Sequence, residues 1–298
     1  MNENKTNINW YPGHMLKTKK QIIEDLKLID VVVELLDARI PKSSRNPDIQ
    51  KIVQNKKRIV LLNKSDLAED RETKKWIEYY KNNNVTAIAC DANLGKGIKE
   101  ILNQIEKSVE EETQKAALKG RVKKNIRVVI LGIPNVGKSS LINRLCNKKT
   151  TIVGNKPGVT KQKQWVRIAN NIELLDTPGV LWPKFEDETV ALNLAYTGSI
   201  KDEVLETIEV AFKLLIYLYN NYKANLLERY KITESELDQI DSEDENEKLY
   251  NLMKLIERKR GAVISGGEID DEKTAKIILN DFRSGKLGKI TLEKVNEK

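Results

Sequence analysis

The eight residues Gly132-Ile133-Pro134-Asn135-Val136-Gly137-Lys138-Ser139 constrain this chain more than any other stretch. They follow an apolar run, Arg127 to Leu131, and lead into Ser139 to Cys146, whose apolar residues recur at helical spacing. G-x-x-x-x-G-K-S is therefore placed between a strand and a helix, the context in which that spacing cradles phosphate. The glycines let backbone N–H groups curl around α- and β-phosphates. Lys138 reaches the β/γ oxygens, and the Ser139 hydroxyl ligates Mg²⁺.

Four further motifs accompany this loop: Asn63-Lys64-Ser65-Asp66, Asp91-Ala92-Asn93, Pro157-Gly158-Val159-Thr160 and Asp176-Thr177-Pro178-Gly179. The Asp66 carboxylate accepts from both guanine N1–H and the exocyclic amine. Adenine lacks that pair of donors and would leave Asp66 unpaired, at about 1–3 kcal/mol. Asn63 reaches the Hoogsteen edge, the Lys64 stem lies over the ring, and the Ala92 N–H donates to guanine O6. Asp91 and Asn93 depart from the usual Ser-Ala-Lys. Asp176 holds Mg²⁺ through water, Thr160 offers it a hydroxyl, and the Gly179 N–H senses the γ-phosphate. Asn135, Val136, Gly137, Lys138, Ser139 and Ser140 complete the expected GTP/GDP contacts, with Ser139, Thr160 and Asp176 around Mg²⁺. An ordinary small GTPase places the Gly-rich loop first and Asn-Lys-x-Asp fourth. Here the two base-reading motifs precede the three phosphate-reading ones, as in a circularly permuted GTPase. Val180 stands where Ras-like proteins carry the Gln that orients the attacking water, and a valine cannot hydrogen-bond water.

The fold expected is α/β: a permuted Ras-like P-loop GTPase domain over 1–183, then an all-helical domain over 184–298. Val31 to Leu36, Arg58 to Leu62, Val85 to Ala89, Arg127 to Leu131, Trp165 to Ile168 and Ile172 to Leu175 read as buried parallel strands. Trp76 to Asn82, Ile98 to Glu112 and Ser139 to Cys146 read as helices between them. Beyond Trp182 only helices are expected, through Glu188 to Tyr196, Asp202 to Tyr222, Leu249 to Arg260 and Asp271 to Phe282. Gly261 suits a helix C-cap, and Asp270, Asp271 and Glu272 suit a helix start.

Of 298 residues, 40% are hydrophobic and 32% charged, with a net charge of +8. No apolar run reaches the roughly 20 residues that span a bilayer, and Met1 to Trp10 lacks an apolar signal core, so a cytosolic protein without membrane partners is expected. Cys90, Cys146 and His14 are too few and too scattered for a zinc site. Basic residues gather at Lys17 to Lys20, Lys115 to Arg127, Lys254 to Arg260 and Arg283 to Lys289. They are either solvated helix faces or a surface for phosphate.

The motifs, with Trp10-Tyr11-Pro12-Gly13-His14-Met15, Asp37-Ala38-Arg39-Ile40-Pro41, Asp176 to Pro183 and Arg283 to Leu292, resemble the ribosome biogenesis GTPase A family, circularly permuted GTPases of bacterial large-subunit assembly. Members of that family replace the catalytic Gln by an apolar residue, as Val180 does. A slow GTPase stimulated by the ribosomal particle is expected, with hydrolysis driving its release. The implied partners are the large-subunit precursor and its ribosomal RNA and proteins. The resemblance implies that His14 takes part in hydrolysis, that the helical tail binds ribosomal RNA, and that a monovalent cation such as K⁺ assists through Asn135. From the residues alone, His14 reads equally as a helix-start or RNA-contacting side chain. The alternative for the whole chain is a GTP-gated RNA-binding switch in another ribonucleoprotein process, small-subunit assembly or RNA modification.

Overall fold

Four strands form one side of a seven-stranded sheet in a computed structural model that describes residues 22–53, 55–120, 125–146, 152–153, 165–175, 187–261 and 270–295. They are Val31–Asp37 (β1), Lys57–Asn63 (β2), Thr86–Ala89 (β3) and Ile126–Gly132 (β4). All four are parallel, in the order β3-β2-β1-β4. Every residue of β1 is buried, as befits a central parallel strand covered on both faces. The winding runs outward from β1 to β2 and β3, then restarts on the other side with β4. The β1/β4 boundary is thus a topological switch point, where α/β folds bind ligands beyond the strands' carboxyl ends.

Ile172–Leu175 (β7) extends the sheet parallel to β4. Trp165–Ala169 (β6) pairs with β7 in the antiparallel sense, and Ile152–Val153 (β5) pairs antiparallel with β6. The expectation of parallel strands throughout fails here for a covalent reason. Only Asn170 and Asn171 separate β6 from β7, which suffices for a hairpin, whereas a parallel crossover needs a dozen residues or more. Trp165 is partly buried and packs on the core, with the Arg127 guanidinium 5.0 Å from its ring.

Helices cover the sheet. Residues 22–26 and Pro47–Val53 (α1) bring Ile22, Leu26, Ile49 and Val53 against Val32, Val129, Leu131 and Leu175. Asp70–Asn82 (α2) brings Trp76 and Tyr80 against Leu36, Val60 and Leu62. The helix expected over Ile98 to Glu112 is two, Ile98–Ser108 (α3) and Glu110–Leu118 (α4), because Val109 leaves helical geometry at φ −112°, ψ 8°. Lys138–Leu145 (α5) follows the Gly-rich loop.

The chain divides into two units: one ends at Asp187 and resumes at Thr291, and the other is Glu188–Ile290. The second unit consists of Glu188–Tyr196 (α6), Thr207–Tyr230 (α7), Glu234–Asp238 (α8), Glu245–Arg260 (α9) and Asp271–Arg283 (α10), with a 3₁₀ turn at Asp202–Val204. The helix expected from Asp202 to Tyr222 begins later, at Thr207, and continues to Tyr230 through a kink at Tyr222 (φ −140°). Gly261 closes α9 in the left-handed region (φ 64°), and the Asp270 carboxylate accepts the Lys273 N–H at the start of α10. Within the 184–298 expected to be helical, Thr291 to Val295 group instead with the first unit. Among the described residues no helix is long and apolar enough to cross a membrane.

Asp281 anchors the helical unit. Its side chain, 4% exposed, faces Arg229 at 2.9 Å, Arg260 at 3.2 Å and Lys286 at 3.5 Å. Burial pushes the Asp281 carboxyl up, but hydrogen bonds and charge from Arg229, then Arg260 and Lys286, outweigh it and hold the carboxyl low. Asp281→Ala is expected to destabilise this unit by about 2–3 kcal/mol, through lost charge-assisted hydrogen bonds, as read by urea unfolding. A depressed carboxyl stabilises above the unfolded-state value and loses that contribution as pH falls through the folded one. The difference between wild type and variant should therefore shrink in acid.

Candidate nucleotide site

The carboxyl ends of β1, β2 and β4 lie side by side, with Asp37 opposite Asn63 and Leu35 opposite Gly132. The turns after β2 and β4 thus meet although more than sixty residues separate them. Asn63, 2% exposed, joins them. Its amide Nδ2 donates to the Val136 carbonyl at 2.8 Å, and its Oδ1 accepts the Ala92 N–H at 3.0 Å. Both ends of the amide are engaged with protein, so Asn63 braces three loops. The Ala92 N–H, expected on a guanine O6, is directed at Asn63 instead, because the turn after β3 comes within hydrogen-bond reach of this buried acceptor.

Lys64 makes the second bridge. Its Nζ donates to the Asn135 carbonyl at 2.8 Å and lies 3.0 Å from Asp37 Oδ2. Lys64 and Asn135 both have φ of 58°, a region non-glycine residues occupy at some strain and mostly where structure around them demands it. Burial pushes the Asp37 carboxyl up, but Arg39 and Lys64 overcome this and hold it well below the usual carboxylate range. Arg39 donates from its backbone N and Nε to Oδ1 and from Nη2 to Oδ2, at 3.1, 2.9 and 2.8 Å.

The phosphate side is built from backbone. Gly137 has φ of 97°, caps α5 without a side-chain hydrogen bond, and delivers the N–H groups of Lys138, Ser139 and Ser140 at a helix start. N–H groups at a helix start, with the positive end of the helix dipole, suit a phosphate. Ser139 and Asn135 are exposed, and Lys138 and Ser140 half-buried. Gly132 is equally constrained: a Cβ there would lie 2.8 Å from the Leu35 carbonyl oxygen.

On the base side, Asp66 is exposed beside the buried Asp91. Thinned water and then the like charge of Asp91 raise its pKa, against a backbone hydrogen bond that lowers it. Asp91 shapes the loop: its Oδ1 accepts the N–H groups of Asn93 and Leu94 at 2.8 and 3.0 Å, as an Asx turn does. Asn93 is exposed and its carbonyl accepts from Arg144 of α5. Cys90, under this loop, is pushed by burial up to about 12. Thus Asn63, Lys64, Asp66, Asp91, Ala92 and Asn93 converge with the run Asn135 to Ser140. His14, Thr160, Asp176, Gly179 and Val180 lie outside the described residues.

Asp37 and Arg39 were assigned no role from sequence, although an acid closing a largely apolar run is itself a signal that a cation awaits it. The basic runs also divide. Arg283 is committed internally, to Asp202 and the carbonyls of Ala195 and Tyr196, and Arg260 and Lys286 serve Asp281. Arg258 and Lys289 remain exposed.

Gly137→Ala should break the junction. The added Cβ would meet Asn63 Nδ2 at 2.3 Å, at a φ that alanine rarely adopts. Guanine-nucleotide affinity is expected to fall at least about tenfold, or 1.4 kcal/mol, in a fluorescent-GDP titration, while the sheet remains folded.

Residues 127–255 match the family model described as 50S ribosome-binding GTPase. That match begins on β4, leaving the base-side motifs N-terminal to it. Ribosome biogenesis GTPase A of Priestia megaterium is 47% identical over 291 residues, covering 97% of this chain and 98% of the relative. The Thermotoga maritima protein of the same name is 31% identical, covering 96% and 94%. The crystal structure of GNP-bound YlqF from T. maritima superposes with a TM-score of 0.64 at 27% identity, covering 93% of this chain and 98% of that one. With identities this high along nearly the whole chain, and a phosphate loop joined to a base-side turn that precedes it in sequence, the chain belongs to the ribosome biogenesis GTPase A family of GTP-hydrolysing enzymes.

Proposed function

We propose that this GTPase acts in maturation of the bacterial large ribosomal subunit, binding the precursor particle in its GTP state and leaving it on hydrolysis. The observation that carries the nucleotide half of this reading is the double bridge, Asn63 to Val136 and Lys64 to Asn135, which welds base side to phosphate side. The ribosomal half rests on the named relatives, and on exposed Arg258 and Lys289 as contacts for an RNA polyanion.

In this reading Asp66 recognises guanine, and Lys138 with the α5 N–H groups holds the phosphates. Ser139, Thr160 and Asp176 would hold Mg²⁺, which neutralises charge on the β- and γ-phosphates. The exposed Ser139 at the first turn of α5 fits that task. Asn135 is where a K⁺ would assist. Val180 cannot orient the attacking water, so His14 supplies that function on the particle. Residues 180–187 then link Gly179 directly to α6, so loss of the γ-phosphate is transmitted into the helical unit.

Sucrose-gradient co-sedimentation with subunits in GDP, GTP and a non-hydrolysable analogue tests the cycle. Retention on the large-subunit precursor is expected with GTP and the analogue and loss with GDP; equal sedimentation in all three states would refute it. Neutralising Arg258 and Lys289 should weaken particle binding and flatten its salt dependence, by about one unit of log–log slope per lost phosphate contact, with nucleotide affinity intact. His14→Ala should bind GTP and the particle normally yet lose most of the stimulated turnover. A wild-type rate would move the water-positioning role elsewhere.

Asp66 adds a pH signature. Guanine recognition needs its carboxylate ionised, and its raised pKa means protonation begins above the ordinary aspartate range. GDP affinity should therefore decline on acidification earlier than an unperturbed aspartate would dictate. Asp66→Asn should remove that decline and turn preference toward xanthine nucleotides, both readable by competition titration.

A further inference from the structure

The last described residues return to the first unit and grip the two turns that carry and brace Lys64. On the turn after β1, the Glu293 carboxylate accepts the N–H groups of Lys42, at 2.6 Å, and Ser43, at 3.0 Å, and the Ser43 hydroxyl. The Arg39 carbonyl accepts from Leu292 N at 2.9 Å. On the turn after β2, the fully buried Thr291 accepts the Glu69 N–H through Oγ1 at 3.0 Å, at the N-cap of α2 and three residues from Asp66. The Glu293 carbonyl accepts from Trp76 Nε1 at 2.8 Å, and Val295 packs beside Trp76 and Ala68.

From this strap a continuous path leads to the nucleotide site. Arg39, 1% exposed, is held by its carbonyl to the strap and by its guanidinium to Asp37. Asp37 in turn holds Lys64, and Lys64 reaches the Asn135 carbonyl of the Gly-rich loop. From Leu292 to Asn135 every link is a hydrogen bond or ion pair of 2.8–3.1 Å, mostly in buried surroundings, where charge-assisted bonds are strong and an unpaired end is costly.

We infer that residues 291–293 are part of the base site's scaffold, with Glu293, Arg39 and Asp37 acting as positioning residues for Lys64. The inference rests on the reading of Asn63 to Asp66 as the guanine-binding turn. It means that guanine affinity is set in part by a segment continuous with the end of the helical unit at Ile290. This is a second covalent route between the units, distinct from residues 180–187.

The test is GDP affinity and dissociation rate in the full chain. Glu293→Ala should release GDP about tenfold faster, the scale of one lost charge-assisted hydrogen bond. Glu293→Gln, which keeps an acceptor, should stay within about twofold of wild type. The decisive readout is a double-mutant cycle with Lys64→Met, which keeps an apolar stem and removes the ammonium. If the strap acts through Lys64, Glu293→Ala adds little in that background; if it only stiffens the domain, the two losses multiply, and the inference is overturned. Should Glu293→Ala fail to fold, Thr291→Val carries the same cycle, since it removes the acceptor for the Glu69 N–H. Wild-type GDP release in a folded strap variant likewise overturns the inference. Asp66→Asn in parallel separates the two layers. A switch toward xanthine nucleotides with an inert strap sinks only the strap, and no switch sinks the base-site reading beneath it.

Discussion

One ammonium group, Lys64 Nζ, holds together the parts on which this molecule's chemistry depends. It lies between the Asp37 carboxylate at the end of β1 and the Asn135 carbonyl beyond β4, and it is carried on the turn after β2. Three neighbouring strand ends are thereby fixed by a single charge. Such a junction is stable only if the acid it faces stays ionised, and the Arg39 fork ensures that. Remove the cation and Asp37 keeps one partner but loses its reason for position. Remove Asp37 and Lys64 has no reason to remain in the left-handed conformation that points it across the switch point. The Asn63 amide repeats the same joining without charge, and between them the base turn and the phosphate loop become one object.

That object does not depend on chain order. β1, β2 and β4 adjoin because of how their apolar faces pack, and the sheet is indifferent to which strand is synthesised first. What the rotated order changes is where the site's moving parts lead. In the described chain, α3 and α4 occupy the connection that rejoins the halves of the permuted domain. Both exits to the helical unit, at Asp187 and at Thr291, belong to the unit that holds the nucleotide. A nucleotide-dependent change in that unit has two covalent paths outward, and linkage makes each path run both ways.

Sequence alone revealed the site's local chemistry and missed its long-range carpentry. Gly132 to Ser139 and Asn63 to Asp66 are short, contiguous and diagnostic, because the backbone conformation they need is encoded where they stand. The parallel core was legible for the same reason: β1, β2 and β4 are mostly apolar runs. The β6–β7 hairpin was misread because periodicity reports burial and not direction, although the two-residue gap held the answer. Asn63 as a brace, and Thr291 and Glu293 as a strap, were not legible at all. Each works through a partner more than two dozen residues away, and up to 251 in the case of Glu293 and Lys42. Arg283 was misread for a related reason, since a basic residue beside glycine and lysine looks like surface until its acid, Asp202, is found eighty-one positions earlier.

β1 itself shows why geometry, and not charge count, decides which buried acid can serve as scaffold. Glu34 and Asp37 lie three residues apart on this strand, so their side chains leave opposite faces. Each is buried and each faces two cations. Glu34 meets Arg45 at 3.5 Å and Arg58 at 3.7 Å, and burial outweighs both, so its pKa is raised. Asp37 meets Arg39 at 2.8 Å and Lys64 at 3.0 Å with directed hydrogen bonds from Arg39, and the balance reverses. Coulomb attraction falls only as the inverse of distance, so seven-tenths of an ångström alone changes little. Against burial, the charges of Arg39 and Lys64 act first at Asp37 and the directed Arg39 hydrogen bonds add to them, whereas both Glu34 carboxylate oxygens find no hydrogen-bond partner among the described residues. Arg39 and Lys64 thus hold the Asp37 carboxyl well below the usual carboxylate range, and an acid kept ionised in this way can hold Lys64 in place through a nucleotide cycle.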